Sequence, residues 1–185
     1  LSNDGRYVFC GSYDKTITAW DIKFGKEFRE FTDANSLAVH LEVSKNDKYL
    51  ISLHTDGSVN VWDIYSGKLV RVFHETTEWA YAFTISLDGK SIILPGANNS
   101  IKIYDIETGT LSGSMNHNPA TIRSIILNPV NGNIIAGENV NNKGTLCEWD
   151  SNSKQLIKKM EFEKEIDKLH FSPDGNLLYV LIYSG

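Results

Sequence analysis

The chain has 185 residues, of which 41% are apolar and 22% are charged, and its net charge at pH 7 is −5. It contains no apolar run near the roughly 18 residues that a membrane-spanning helix needs, so we expect no contact with a membrane. Its 18 basic residues are scattered along the chain, which argues against a nucleic-acid-binding surface.

One unit is repeated along the chain. Its clearest marker is an aromatic residue followed by aspartate, in steps of 42, 42 and 45 residues, at Trp20-Asp21, Trp62-Asp63, Tyr104-Asp105 and Trp149-Asp150. A second marker is a turn that recurs in steps of 42, 42, 42 and 44 residues, introduced by Ser2, Ser44, Ser86, Asn128 and Ser172. A period of about 40 to 45 residues predicts one supersecondary unit made several times, with function on a shared surface.

Within each unit the pattern is that of strands. Pairs such as Asp88-Gly89 predict tight reversals of type I′, in which both central residues have positive φ. An apolar second strand follows, as in YLISL at 49–53, then a polar break such as Thr55-Asp56-Gly57, then an alternating third strand such as SVNVW at 58–62. A further break at Ser66-Gly67-Lys68 leads to a fourth strand, LVRVF at 69–73.

Four short antiparallel strands per unit, without helical periodicity, predict an all-β protein built from β-propeller blades. We expect units at about residues 1–36, 37–78, 79–120 and 121–164, with an incomplete unit at 165–185, or about 4.4 blades. The aromatic-Asp pairs are expected to be structural anchors, with the aromatic ring packed between blades.

The blocks FSPDGNLLYV, GSYDKTITAWDIKFGKEFREF and TDGSVNVWDIYSGKLVRVF resemble WD repeats, and the resemblance covers essentially all of the chain. It implies a ring of seven or eight blades, so we expect a segment of a longer protein, with a closed four-bladed ring as the alternative. The stretch SLDGKSIILPGANNSIKIYDIETG also resembles YVTN-type propeller repeats of surface proteins and lactonase-like enzymes. The Trp-Asp pairs favour the WD-repeat family.

One part of the WD-repeat pattern is missing. The family's Gly-His pair would fall near Ala34, Thr76, Asn118 and Phe162, and none of these is histidine. In many members that histidine joins a buried Asp-His-Ser/Thr-Trp hydrogen-bond network. We therefore expect looser blades here, although Asp14 and Asp56 keep the acid of the turn.

The cysteines and histidines point away from metal and redox chemistry. Cys10 and Cys147 lie three units apart, so we expect two unpaired, buried thiols, which suits the cytoplasm. The five histidines lack ligand spacing, and the chain has no Cys-x-x-Cys, Gly-x-Ser-x-Gly or phosphate-binding motif. We expect no metal, no cofactor and no catalytic site.

Candidate partner-binding residues are those whose type the repeat does not require. The resemblance implies that loops joining second to third strands, and those leading into first strands, share one face that docks partners. Trp79 and Arg123 are at the starts of first strands. Trp79 can contact a partner or pack within its blade, and Arg123 can pair with a partner or with a neighbouring blade. The other candidates are Tyr13 and Asn99 in polar breaks, and Asn141 in an apparent inserted loop at 138–144.

The sequence therefore predicts a non-catalytic scaffold that binds other proteins as a subunit or adaptor of a multi-subunit assembly. Modules of this kind recur in cytoskeletal, ciliary, trafficking and ribosome-assembly machines. A lactonase-like or periplasmic YVTN-type propeller enzyme or surface protein is the alternative. Clustered histidine, asparagine and carboxylate groups at a channel mouth would favour that alternative.

Overall fold

The computed structural model describes residues 1–74, 82–117 and 119–183. The chain divides into two compact units, residues 1–79 and 80–185, which we call unit 1 and unit 2. All regular structure in the described residues is β-strand, in antiparallel sheets. Among these residues there is no helix of the length and hydrophobicity that crossing a membrane requires.

Unit 1 contains two sheets. Sheet 1 has the order β1 (Tyr7–Gly11), β2 (Ile17–Asp21) and β3 (Lys26–Phe31). Sheet 2 has the order β4 (Ala38–Val43), β5 (Tyr49–His54), β6 (Val59–Asp63) and β7 (Leu69–Phe73).

Unit 2 contains three sheets. Sheet 3 has β8 (Thr84–Ile85), β9 (Ser91–Gly96), β10 (Ser100–Asp105) and β11 (Leu111–Asn116). Sheet 4 has β12 (Thr121–Leu127), β13 (Ile134–Val140), β14 (Lys143–Trp149) and β15 (Leu156–Phe162). Sheet 5 pairs β16 (Ile166–Phe171) with β17 (Leu178–Ile182). The predicted all-β fold, with repeated four-stranded antiparallel sheets, is confirmed.

Because neighbouring strands are antiparallel, the turns of each sheet lie at two ends. The lower end holds the turns that begin at Ser2, Ser44, Ser86, Asn128 and Ser172, together with those that follow the aromatic-Asp pairs. The upper end holds the turns between second and third strands and the residues leading into first strands. We use these two names for each unit separately.

The lower turns that begin at serine are not of type I′, contrary to the sequence prediction. In the first of them Gly5 has φ +73°, whereas Asp4 does not have positive φ. The Ser2 hydroxyl donates to Asp4 Oδ1 at 2.6 Å, and the Arg6 amide donates to the same oxygen at 2.9 Å. These side-chain hydrogen bonds favour a turn with a single left-handed residue. Asp47 occupies that position in sheet 2, with φ +54°.

Residues 138–144, which the sequence predicted as an inserted loop, mostly extend the hairpin β13–β14. The turn itself is confined to Asn141 and Asn142, with φ +51° and +64°. Both strands run for 7 residues, and the extra residues of this repeat are paired with each other at the end of the hairpin. The Asn139 side chain accepts from Ile166 N at 2.8 Å and donates to Ile166 O at 2.7 Å, which joins sheet 4 to sheet 5.

The close approach of sheet 5 to sheet 4 explains why position 144 is glycine. A Cβ on Gly144 would lie 2.7 Å from the Lys164 carbonyl oxygen and 2.8 Å from Ile166 Cγ1. Only a residue without a side chain leaves room for β16 to approach β14 this closely.

The core of unit 1 lies between its two sheets and centres on Trp62. The indole is 0% exposed, and it meets the ring of Phe31 edge-on at a centroid distance of 5.8 Å. Apolar side chains of both sheets surround this pair: Phe9, Ile17, Ala19, Leu50 and Ile64. The predicted packing of this anchor between neighbouring sheets is therefore present.

A hydrogen-bond chain runs from Trp62 through sheet 2. Trp62 Nε1 donates to Ser52 Oγ at 2.7 Å, and Ser52 Oγ lies 2.7 Å from His54 Nε2. His54 Nδ1 is 2.9 Å from the Ser36 carbonyl, which can only accept, so Nδ1 carries the proton and Nε2 accepts from the serine. The expectation of a blade without a histidine in this network is wrong for sheet 2, because His54 supplies the imidazole from strand β5.

The outward face of sheet 1 differs from the sequence prediction. Trp20 is 40% exposed, and its Nε1 donates to Thr18 Oγ1 at 3.1 Å. Cys10, expected to be buried, is exposed, whereas Cys147 is buried; both are free thiols. Strand alternation is the reason, because Cys10 and Trp20 lie on the opposite face from Phe9 and Ala19, which pack against sheet 2.

Trp62→Ala should cost about 3 to 5 kcal/mol in the free energy of unfolding of unit 1, since it removes a fully buried aromatic ring. Asp63→Asn should cost less than about 1 kcal/mol, because the amide oxygen can still accept from Ser66. Urea denaturation followed by far-UV circular dichroism measures both changes. Equal shifts in the two midpoints would contradict the central role of the indole.

Acidification should weaken unit 1 through His54. Burial lowers the pKa of His54 below its ordinary value near 6.5, so the unfolded chain takes up the proton more readily than the folded one. The free energy of unfolding should therefore fall as pH drops below about 6.5 and be fully retained above it.

Urea titrations between pH 5 and pH 8 measure this slope. His54→Gln should remove the histidine contribution, and the matched control His74→Gln, which changes an exposed imidazole, should keep it. A wild-type slope identical to that of His54→Gln would refute the assignment.

Candidate functional site

The upper end of each unit presents short turns whose backbone is fixed by hydrogen bonds. In sheet 1, Ser12 N donates to Thr16 O at 2.9 Å and Lys15 N donates to Ser12 O at 3.2 Å. Asp14 Oδ1 accepts from the Thr16 amide at 2.9 Å and from its hydroxyl at 2.6 Å. The hydroxyl of Thr16, followed by its amide, lowers the pKa of Asp14, so this carboxylate is charged at neutral pH.

Tyr13 lies at the tip of this turn and is 95% exposed. The turn does not use its side chain, because Ser12, Asp14 and Thr16 supply the hydrogen bonds. A rigid, exposed aromatic side chain costs little conformational entropy to immobilise, and tyrosine is enriched at the centres of protein interfaces. The structure therefore leaves the side chain of this sequence-predicted residue exposed to solvent.

Two further upper turns, in unit 2, are built from pairs of asparagines. Asn98 and Asn99 have φ +60° and +54°, and Asn141 and Asn142 have +51° and +64°. Asparagine tolerates this left-handed region better than other residues with side chains, which explains its use here. The candidates Asn99 and Asn141 are both exposed at these turns.

Arg123 lies on a β-bulge near the start of β12. The register shifts between Ile122, opposite Glu138, and Ser124, opposite Gly137, so the pairing of the two strands passes over Arg123. The same shift occurs at Val39 in β4 and at Asp167 in β16, the positions that the repeat aligns with Arg123. A bulge re-aims the side chain that it carries. Comparison of the repeat units within the sequence identifies the equivalent positions, but it contains no local signal for the bulge.

The guanidinium of Arg123 lies near the next sheet of unit 2. Arg123 Nη1 is 3.9 Å from Asp167 Oδ1, and both side chains are about two-fifths exposed, at 38% and 43%. From the sequence, Arg123 could pair with a partner protein or with a neighbouring blade. The contact with Asp167 corresponds to the second of these, a pairing with the neighbouring sheet. Trp79, the other candidate at the start of a first strand, lies outside the described residues.

The remaining residues of the aromatic-Asp pairs either pack in the core or stabilise a turn. Tyr104 and Trp149 are buried in unit 2. Each of the four predicted aspartates accepts a hydrogen bond from the backbone amide three residues later: Asp21, Asp63, Asp105 and Asp150. Sequence reasoning missed His54, Ser52 and Asn139, whose polar side chains are buried and bonded between strands or sheets.

The family model described as "WD domain, G-beta repeat" matches residues 1–21 and 25–63. Residues 1–63 therefore carry WD repeats. The matched residues run through sheet 1 to the end of β6, and the described part of unit 2 continues with sheets of the same antiparallel order. No curated protein sequence matches the chain. WD-repeat domains generally mediate protein–protein interaction and scaffolding and are typically non-catalytic.

The Arg123–Asp167 pair should contribute little to stability, because solvent screens two partly exposed charges. In a double-mutant cycle of Arg123→Ala and Asp167→Ala, we expect a coupling energy below about 0.5 kcal/mol. Thermal and urea denaturation of the four proteins measure it. A coupling above about 2 kcal/mol would assign Arg123 to packing between sheets instead of to a binding surface.

Proposed function

We propose that this chain is a non-catalytic scaffold module, a subunit or adaptor of a larger protein complex, and that the upper ends of its units bind partner proteins. The observation that carries the proposal is Tyr13, which is exposed at 95% on a turn whose hydrogen bonds come from other residues. Binding residues concentrate on such loops because a rigid scaffold positions them at low entropic cost.

Three other candidates support a binding surface at the upper end of unit 2. Asn99 and Asn141 are exposed at upper turns whose two central residues have positive φ, and Arg123 is re-aimed by a bulge. These residues offer a partner polar groups that are able to adapt their hydrogen bonds. Trp79 remains a sequence-based candidate for partner binding.

We also propose that the protein acts in the cytoplasm. The supporting observation is that Cys10 and Cys147 are both free thiols, and secreted proteins more often pair their cysteines. The family supports the non-catalytic assignment, since WD-repeat domains typically provide binding surfaces.

The test is affinity purification of the tagged full chain from its source cells, followed by quantitative mass spectrometry. The double variant Tyr13→Ala with Arg123→Glu should reduce at least one stoichiometric partner about tenfold, while circular dichroism and the melting temperature stay nearly unchanged. Val130→Ala, which truncates an exposed side chain at the lower end of unit 2, is the control and should retain every partner. Recovery of the full set with both variants, or of no protein above a tag-only background, would reject the proposal.

A further inference from the structure

The lower turns that follow the aromatic-Asp pairs share one hydrogen-bond pattern, and sheet 1 departs from it. The third residue after the aspartate donates both its amide and its hydroxyl to that carboxylate, at 2.6–2.9 Å, in three turns: Ser66, Thr108 and Ser153. In sheet 1 this residue is Phe24, whose amide donates to Asp21 Oδ1 at 3.1 Å. Arg6 Nε supplies the missing donor, to Asp21 Oδ2 at 2.9 Å.

Phe24 is 62% exposed, although turn chemistry favours a hydroxyl residue at its position. The exposure belongs to the position itself, because the hydroxyl residues at the same place in the other three turns are also exposed. The Lys23 ammonium lies 5.4 Å from the centroid of the Phe24 ring. Because the Phe24 ring does not donate to the aspartate as the hydroxyl groups do, its presence is not explained by the structure of the turn.

A second exposed aromatic, Tyr65, lies on the neighbouring lower turn of unit 1 and is 60% exposed. Its ring meets Phe28 edge-on at 6.4 Å, and the Arg29 guanidinium donates to its carbonyl oxygen at 2.6 Å. These contacts hold the Tyr65 turn of sheet 2 against strand β3 of sheet 1.

A chain of contacts connects the two exposed aromatics across the lower end. From Asp21 it passes to Arg6, whose guanidinium lies 4.9 Å from the Tyr7 ring centroid. Tyr7 stacks on Phe28 at 4.4 Å, and Phe28 contacts Tyr65. Phe24 and Tyr65 therefore stand on one connected surface, whose geometry is set by packed rings and cations.

The lower end of unit 1 carries more cations than carboxylates. Its turns at 2–6, 21–26, 44–48 and 63–68 contain six basic residues, namely Arg6, Lys23, Lys26, Lys45, Lys48 and Lys68. They contain four acidic residues, namely Asp4, Asp21, Asp47 and Asp63.

The matching turns of unit 2 show the opposite balance. Residues 86–90, 105–110, 128–133, 150–155 and 172–176 contain two basic residues and five acidic ones. The same turns thus form without the cations, and the whole chain is acidic at −5. The cationic character of this one surface is therefore not a requirement of the fold.

The carboxylates of this surface are occupied by donors of the protein itself. Asp47 accepts from the Asn3 amide and side chain at 2.8 Å and from the Asp4 amide at 3.3 Å. Asp63 accepts from the Ser66 amide at 2.7 Å and from its hydroxyl at 2.8 Å. The four lysines that are exposed here, by contrast, present their charge to solvent: Lys23, Lys26, Lys45 and Lys68.

We propose that the lower end of unit 1 docks an acidic segment of another protein, with Phe24 and Tyr65 as the apolar contacts and Lys23 and Lys68 as charge partners. Protein-binding patches are enriched in aromatic side chains, have a polar rim, and meet partners of complementary charge. This surface is distinct from the upper ends, so the proposal stands or falls independently of the function proposed above.

The spacing of the charges favours a protein partner over a nucleic acid. Each of the four lower turns carries an aspartate among its basic residues, and a continuous phosphate backbone would meet that negative charge at every turn. A peptide places its carboxylates singly and can set apolar residues between them, which matches a surface of alternating lysines and aromatic rings.

The test begins with the full chain immobilised and a phage-displayed library of random 12-residue peptides as the probe. The enriched peptides should carry several aspartates or glutamates beside an aromatic or aliphatic residue. Their affinities are then measured by fluorescence polarisation at low and high salt, and binding should weaken as salt rises. A single-stranded DNA of twelve thymidines serves as the competing polyanion.

Phe24→Ser is the decisive variant, because it restores the hydroxyl donor that the other turns use. It should raise the Kd of the selected peptides at least tenfold while leaving the melting temperature unchanged or higher. The charge variant Lys23→Glu with Lys68→Glu should also raise the Kd at least tenfold. The controls in unit 2, Lys90→Glu for charge and Leu111→Ser for an exposed apolar residue, should not change it.

Four results of the binding measurements would overturn the proposal. They are selection of peptides without carboxylates, no enrichment above a tag-only background, an unchanged Kd with Phe24→Ser, and tighter binding of the DNA than of any selected peptide. A melting temperature lowered by Phe24→Ser would show that the ring packs within unit 1, which would overturn it as well.

Discussion

Unit 1 depends on the burial of one indole between two sheets. Trp62 places a large apolar surface out of water, and its Nε1 would be unsatisfied there without Ser52. Ser52 in turn needs an acceptor for its hydroxyl proton, and neutral His54 provides one while donating to the Ser36 carbonyl. A buried polar group without a partner costs about as much as burying the ring gains, so the packing and the hydrogen bonds stabilise unit 1 only together.

This packing leaves the turns free to vary. Strand pairing and sheet contacts set the positions of the turns, and a few aspartate and hydroxyl groups hold each turn in its conformation. The side chain at the tip is then not needed to hold the turn, as at Tyr13. A protein built in this way can carry different binding chemistry at its two ends on one unchanged scaffold.

The two ends of unit 1 differ accordingly. The upper turn at Tyr13 stands beside the charged carboxylate of Asp14, whereas the lower turns combine exposed lysines with Phe24 and Tyr65. Surfaces of different charge select different partners, because like charges across an interface are unfavourable. Two partners of different charge would therefore bind to opposite ends of such a unit without competing for one surface.

The repeat itself could be read from the sequence, because its signals are local. The periodic aromatic-Asp pairs, the alternating strands and the turn residues predicted an all-β chain of repeated antiparallel sheets, and they placed Tyr13, Asn99 and Asn141 in turns. Each of these features depends on residues close together in the chain, where φ preference and side-chain period act directly.

Only the tertiary structure decided how distant residues share the interior. The imidazole of the Trp62 network comes from strand β5, so a search for the family's Gly-His pair could not find it. Residues 138–144 mostly pair as strands, and Asn139 bonds from there to Ile166, which lies 27 positions away in the next sheet. Cys10 is exposed because sheet 2 packs on the other face of its strand. In each case the burial or bonding of a residue depends on which surfaces of the fold pack together. A pattern of neighbouring residues in the sequence does not contain that information.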